Sequence, residues 1–214
     1  MMKIQSTGLC VAVGMIGACA SAPNDARVIG AQPAAVSSNA LELRQGMRDL
    51  WADHVVWTRA YIVAAVAEDP SAASALDRLM RNQEDLGSAI APYYGAAAGA
   101  GLTELLREHI SIAGEVVGAA KAQDDAKLKD ADARWHRNAE EIATFLSAAN
   151  PNWSRVDLVR MLNEHLSLTT QQATFRLQQN WREDTATFDR IYDQAMTMAD
   201  ALSDGVIRQF PSRF

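Results

Sequence analysis

From residue 38 onward, apolar residues recur at three- and four-residue spacing, and alternating β-branched runs are absent. That is the period of helices that bury one side. Six stripes stand out. Met47, Leu50, His54, Trp57, Tyr61 and Ala65 mark a first helix over about 39–67, and Leu76, Leu79, Leu86 and Ile90 a second. Leu105, His109, Ile112 and Val116 mark a third, running from near Leu102 to about Ala122, and Trp135, Ile142, Phe145 and Leu146 a fourth. Leu158, Met161, His165, Leu168 and Phe175 mark a fifth, and Phe188, Ile191, Met198 and Leu202 a sixth.

The punctuation fits. Asp69-Pro70 combines a capping side chain with a proline tolerated in a first helical turn. Pro92-Tyr93-Tyr94-Gly95, Gln123-Asp124-Asp125, Asn150-Pro151 and Phe210-Pro211 are stops or turns. Ser154-x-x-Asp157 resembles a capping box, and Asn180-x-x-Glu183 caps a sixth helix. The Gly/Ala-rich stretch Ala96 to Gly101 reads as a flexible connection between units, and it follows a helix rather than the strand a phosphate loop needs.

The stripes repeat. Asp53-His54, Glu108-His109 and Glu164-His165 each place an acid before a histidine, with Leu50, Leu105 and Met161 four residues before it. The histidines are 55 and 56 residues apart, and Asn82, Asn138 and Gln194 are 56 and 56 apart. A fixed period of this length marks tandem copies of one supersecondary unit. The expected fold is all-α: three tandem αα-hairpins (about 40–95, 96–152 and 153–214) in one domain over 40–214, forming a six-helix up-down bundle.

Antiparallel helices of equal rise bring residues equidistant from a turn to the same height. His54, His109 and His165 therefore fall level with Asn82, Asn138 and Gln194, in one polar midplane layer. An open solenoid of hairpins would not assemble that layer.

Two chemistries suit it. Neutral imidazoles from facing helices bind transition metals, so His54, His109 and His165 are candidate ligands of a transition metal ion. Glu84, Asp85, Glu140 and Glu141 are possible extra ligands, although neighbours on a helix point about 100° apart and only one of each pair faces inward. Alternatively the layer is a buried hydrogen-bond network that fixes packing, with Asn82, Asn138 and Gln194 as partners. The Glu-x-x-His of di-iron bundles is absent, since positions 51, 106 and 162 are Trp51, Leu106 and Leu162, and no His-Glu-x-x-His occurs. Arg59 either pairs with a carboxylate inside the bundle or snorkels to water, and the second is the favoured expectation. The tryptophans and tyrosines read as core or loop-packing residues.

Composition then narrows the setting. Net charge is −6 with no run of Lys or Arg, which argues against nucleic acid and against an anionic membrane face. Lys3 followed by the apolar stretch Leu9 to Ala18 reads as a signal segment, and Ile16-Gly17-Ala18-Cys19 resembles a bacterial lipobox. That resemblance implies a lipid on Cys19, with the membrane a partner through that anchor alone. Plain secretion with cleavage after Ala20 or Ala22 is the alternative. Residues 20–39, rich in Ala, Ser and Pro, form the expected linker, with a reach of up to roughly 65 Å. Both cysteines lie before it, so the folded part offers no disulfide and no thiolate.

Trp51-Ala-Asp-His54-Val-Val-Trp57-Thr58-Arg59, Arg81-Asn82-Gln83-Glu84-Asp85, Pro92-Tyr93-Tyr94-Gly95 and Ala148-Ala149-Asn150-Pro151-Asn152-Trp153 resemble an uncharacterised family of small exported bacterial helical proteins. The resemblance implies a helical, exported protein and adds no site residues. Some members of that family are labelled glycosyltransferase or acetylglutamate kinase, but this chain has no strand–helix alternation and no phosphate loop. The expectation is an exported, lipid-anchored bundle in the cell envelope with no assigned catalytic residue. It binds a metal ion or small ligand at the layer, or is a structural or interaction module whose layer only holds the fold.

Overall fold

A computed structural model describes residues 37–214; the lipobox-like segment, Cys19 and the linker up to residue 36 lie outside the described residues. Six helices follow one another: α1 (Ser38–Ala67), α2 (Ser71–Tyr94), α3 (Ala96–Lys121), α4 (Asp125–Ala149), α5 (Arg155–Leu177) and α6 (Trp181–Gln209), with a final 3-10 turn at Pro211–Arg213. The fold is all-α, as the periodicity predicts.

Three hairpin turns are built alike. Glu68, Gln123 and Gln179 sit in the left-handed region at φ 58, 56 and 57°. In each turn the next residue's N–H reaches back to the last helical turn: Asp69 to Ala64 O at 2.9 Å, Asp124 to Ala119 O at 3.0 Å, and Asn180 to Phe175 O at 2.9 Å. This pattern satisfies the orphan carbonyls of a helix end. The residue completing each turn then caps the next helix. Asp69 Oδ1 accepts from Ser71 N at 2.8 Å, Asp124 Oδ1 from Lys127 N at 3.1 Å, and Asn180 Oδ1 from Glu183 N at 3.4 Å. Each turn residue lies 14 positions after a histidine, so the three histidines stand at one height.

The connections at the opposite end are irregular. Ser154 caps α5 through Asp157 N, as predicted. The stretch Ala96 to Gly101, expected as a flexible connection, is instead the start of α3. The break is a single residue, Gly95 at φ 89°. The small residues beyond it let two helices touch: a Cβ on Gly87 would lie 2.5 Å from Gly99 O, and one on Gly99 would lie 2.7 Å from Gly87 O. Their purpose is close α2–α3 packing, not flexibility.

Neighbouring helices pack in sequence order, and α6 returns to α1, closing a ring. Arg44–Asp204, Arg48–Asp200 and Arg59–Asp184 line that closing seam at 2.7, 2.6 and 2.8 Å. Meanwhile α1, α3 and α5 also meet across the middle. These three inner helices run the same way and stack side chains in tiers of three. Met47, Leu102 and Leu158 make one tier; Trp51, Leu106 and Leu162 the next; then the histidines; then Thr58, Ala113 and Thr169; and finally Ile62, Val117 and Ala173. Spacings of three and four along each helix generate this stack, as in coiled-coil seams. No helix among the described residues is long and apolar enough to cross a membrane.

Candidate functional site: the histidine tier

His54, His109 and His165 are all buried, and the His54 and His165 rings lie 5.6 Å apart by centroid. The spacing argument thus brings together the three residues it singled out. Each facing helix supplies an amide. Asn138 Oδ1 stands 2.8 Å from His109 Nδ1, and Gln194 Oε1 stands 3.1 Å from His165 Nδ1. An amide oxygen only accepts, so both histidines carry the proton on Nδ1 and donate. For His109 the other nitrogen accepts from Trp135 Nε1 at 3.1 Å. Both ring nitrogens of His109 are therefore engaged.

The amides are engaged as well. Asn82, Asn138 and Gln194 donate to the carbonyls of Leu50, Leu105 and Met161, at 2.9, 3.1 and 2.9 Å. Those are the residues four before each histidine. One histidine, one amide and one helix carbonyl make a closed unit.

The first hairpin departs from this scheme. Asn82 stands beside His54 as expected, but Gln83 joins it, with Nε2 3.4 Å from His54 Nδ1. The same Nε2 donates to Leu79 O at 2.7 Å and Asn82 Oδ1 at 3.1 Å. Both hydrogens of that amide are thus spent, and the 3.4 Å approach to His54 is a contact rather than a third donation. Gln83 Oε1 is buried with no partner. The signal was present in the numbering. The other two pairs are 29 residues apart, and 29 beyond His54 is Gln83, not Asn82.

Burial lowers all three histidines. It pushes His109 down from 6.5 to about 4. His54 falls well below its ordinary value through burial, with His165 and His109 adding to the effect, and His165 also falls through burial. The tier is uncharged at neutral pH.

The predicted carboxylate ligands are not in the tier. Glu84, Asp85, Glu140 and Glu141 are all exposed, because positions 82, 86 and 90 and positions 138, 142 and 146 claim the inward face. Glu84 pairs with Arg107 and Glu140 with Arg155 on the surface. Among the described residues, no three His, Cys, Asp or Glu side chains converge as a metal site.

Arg59 takes the less favoured of its two expected courses and pairs with a carboxylate. Its guanidinium grips Asp184, Nη1 to Oδ1 at 2.8 Å and Nη2 to Oδ2 at 3.1 Å, and lies over the Phe188 ring. Asp184 is 1% exposed and also takes Arg176 Nη1 at 3.3 Å and Gln172 Nε2 at 3.4 Å. One carboxylate in the α6 first turn pairs with two arginines there, a geometry that holds α6 against α1 and α5.

No family model matches this chain, and neither a curated protein nor a solved structure matches it.

Proposed function

We propose that this protein is an exported, lipid-anchored binding module of the bacterial cell envelope, without catalytic chemistry, whose histidine tier is a buried hydrogen-bond network. The observation that carries the reading is the closed His–amide–carbonyl unit, repeated in the second and third hairpins at 2.8 to 3.1 Å. Satisfied networks of this kind select one packing among many. A metal site would need ring nitrogens free to converge, and His109 has none free. The lipobox-like end at Cys19 supports the address, and the charge of −6 supports contact with the membrane through the anchor alone.

The test uses full-length protein exported to the periplasm and purified without chelator. Elemental analysis of it, beside a His54/His109/His165→Ala variant, should find no stoichiometric transition metal in either after incubation with zinc, copper and nickel. One equivalent in the wild type, absent from the variant, would sink the network reading. Separately, Cys19→Ser should move the protein from the membrane fraction to the soluble one.

A further inference from the structure

The tier holds three imidazoles and no counter-charge. Asp184 is the only buried carboxylate among the described residues. It lies ten residues, roughly 15 Å, along α6 from Gln194 and is held by Arg59 and Arg176. Asp53 on α1 pairs with Arg78. Glu84 on α2, Glu108 on α3, Glu141 on α4, Glu164 on α5 and Asp193 on α6 are exposed, as are the flanking Arg81, Arg107, Arg137 and Arg190. The groups that do face the imidazoles are neutral: the amides of Asn82, Gln83, Asn138 and Gln194 and the indole of Trp135.

His109 is where an added proton acts most directly. Its Nδ1–H already donates to Asn138 Oδ1, so the proton must enter at Nε2. That nitrogen accepts from Trp135 Nε1 at 3.1 Å. Protonation turns it into a second donor aimed at the indole N–H, and two donors at that distance repel. Trp135 is buried on α4. Relief comes when α4 carries the indole away and water reaches the imidazolium.

The ring is also weakest beside α4. Each of the other five seams carries an Arg–Asp or Arg–Glu pair at 3.3 Å or closer. Across α4–α5 the one such pair among the described residues is Arg155–Glu140, at 3.8 Å on the surface, and these two helices make the least extensive contact of any neighbours in the ring. Exposed His136 bridges the same seam, with Nδ1 2.7 Å from Asn163 Oδ1 and Nε2 3.8 Å from Asp132. A proton on that Nε2 meets a carboxylate rather than a donor, so acid leaves this bridge in place.

We propose that the tier is an acid-operated latch: protonation of His109 at Nε2 breaks its bond to Trp135 and opens α4 along the α4–α5 seam while the other five helices stay packed. The opening uncovers Ile142 and Leu146 on α4 and, on the inner helices, Leu106 and Leu162, all of them buried in the closed ring. Burial holds His109 down at about 4 in the closed form, and solvation returns it toward 6.5 in the open one. The open form therefore binds more protons and gains as pH falls. The latch rests on the network reading of the tier. A metal in the tier defeats both, whereas a metal-free tier with an unresponsive α4 defeats the latch alone.

The experiment is hydrogen exchange on the full protein at pH 7.5 and pH 5, followed amide by amide and corrected for the intrinsic rate. The opening constant of the α4 amides around Trp135 should rise roughly thirtyfold from His109 alone. At pH 5 it should exceed that of the α1 and α6 amides, which exchange only when the whole bundle opens. One opening constant shared by α1, α4 and α6 at pH 5 overturns the proposal, as does an α4 constant that is the same at both pH values. His109→Phe has no proton to take and should lose most of the rise; a variant that keeps it in full overturns the latch. His136→Ala should keep the rise, and its loss there would place the sensor on the surface and overturn the proposal as well. The wild-type comparison stands without either variant.

Discussion

The first hairpin and the other two carry the same histidine at the same height, yet solve the same problem differently. In hairpins two and three a single amide accepts from the imidazole and gives its own protons to a helix carbonyl. In the first, Asn82 keeps the carbonyl bond while Gln83 crowds in beside it, 3.4 Å from the imidazole. The cost is visible in Gln83 Oε1, which is buried and unpaired. Position 83 corresponds to Ala139 and Ala195, so a large polar side chain stands where the other copies have a methyl group. Hairpins that share a core need not share its chemistry.

That contrast can be broken by stability measurements. His109→Ala leaves Asn138 Oδ1 and the Trp135 indole unpaired and opens a cavity, and it should cost about 4 kcal/mol in urea unfolding. His54→Ala gives up only the 3.4 Å contact and should cost about 2 kcal/mol less; equal losses would erase the distinction. Acid tests the tier as a whole. A histidine held below its unfolded value binds fewer protons when folded, so stability is full above pH 6.5 and falls as pH drops toward about 4. His109 alone should contribute a loss of about 3 kcal/mol across that window, measured as a falling urea midpoint, and His109→Phe should flatten the slope. The smallest effect sharpens the contrast most. Gln83→Leu removes an orphaned acceptor but takes the donor from Asn82 Oδ1, so the two effects offset and the net cost should stay under about 1 kcal/mol, whereas Asn138→Leu should cost about 2 kcal/mol. A loss at Gln83 as large as at Asn138 would mean the first hairpin's network is as well made as the others.

Much of this was legible in the residues. The 3.6 period gave six helices, and the doublets at His54, His109 and His165 gave the tier, because local period and repeat spacing are one-dimensional facts. Gln83 was legible in principle, since the 55-residue gap already separated the first copy from the others. Arg59 and Asp184 were not. They meet across 125 residues at the ring's closing seam, and no local pattern encodes which distant carboxylate an arginine finds. Ala96 to Gly101 misled for a related reason: glycines that weaken an isolated helix also let two helix backbones touch, and only the partner's position decides. The four carboxylates were placed by proximity to the amides, where the apolar positions three and four residues away already turned them outward.

Ring closure has a consequence for a protein built of three successive hairpins. A linear array leaves two raw ends, and each must be covered by a specialised terminal unit. Here the last helix lies against the first, and Asn39 Nδ2 even holds Arg213 O at 3.0 Å, so both ends of the described chain are neighbours. No hairpin is terminal, and none must differ in order to keep the array soluble. The hairpins are thus free to differ inside, while the seam of arginines and aspartates covers what end-caps cover elsewhere.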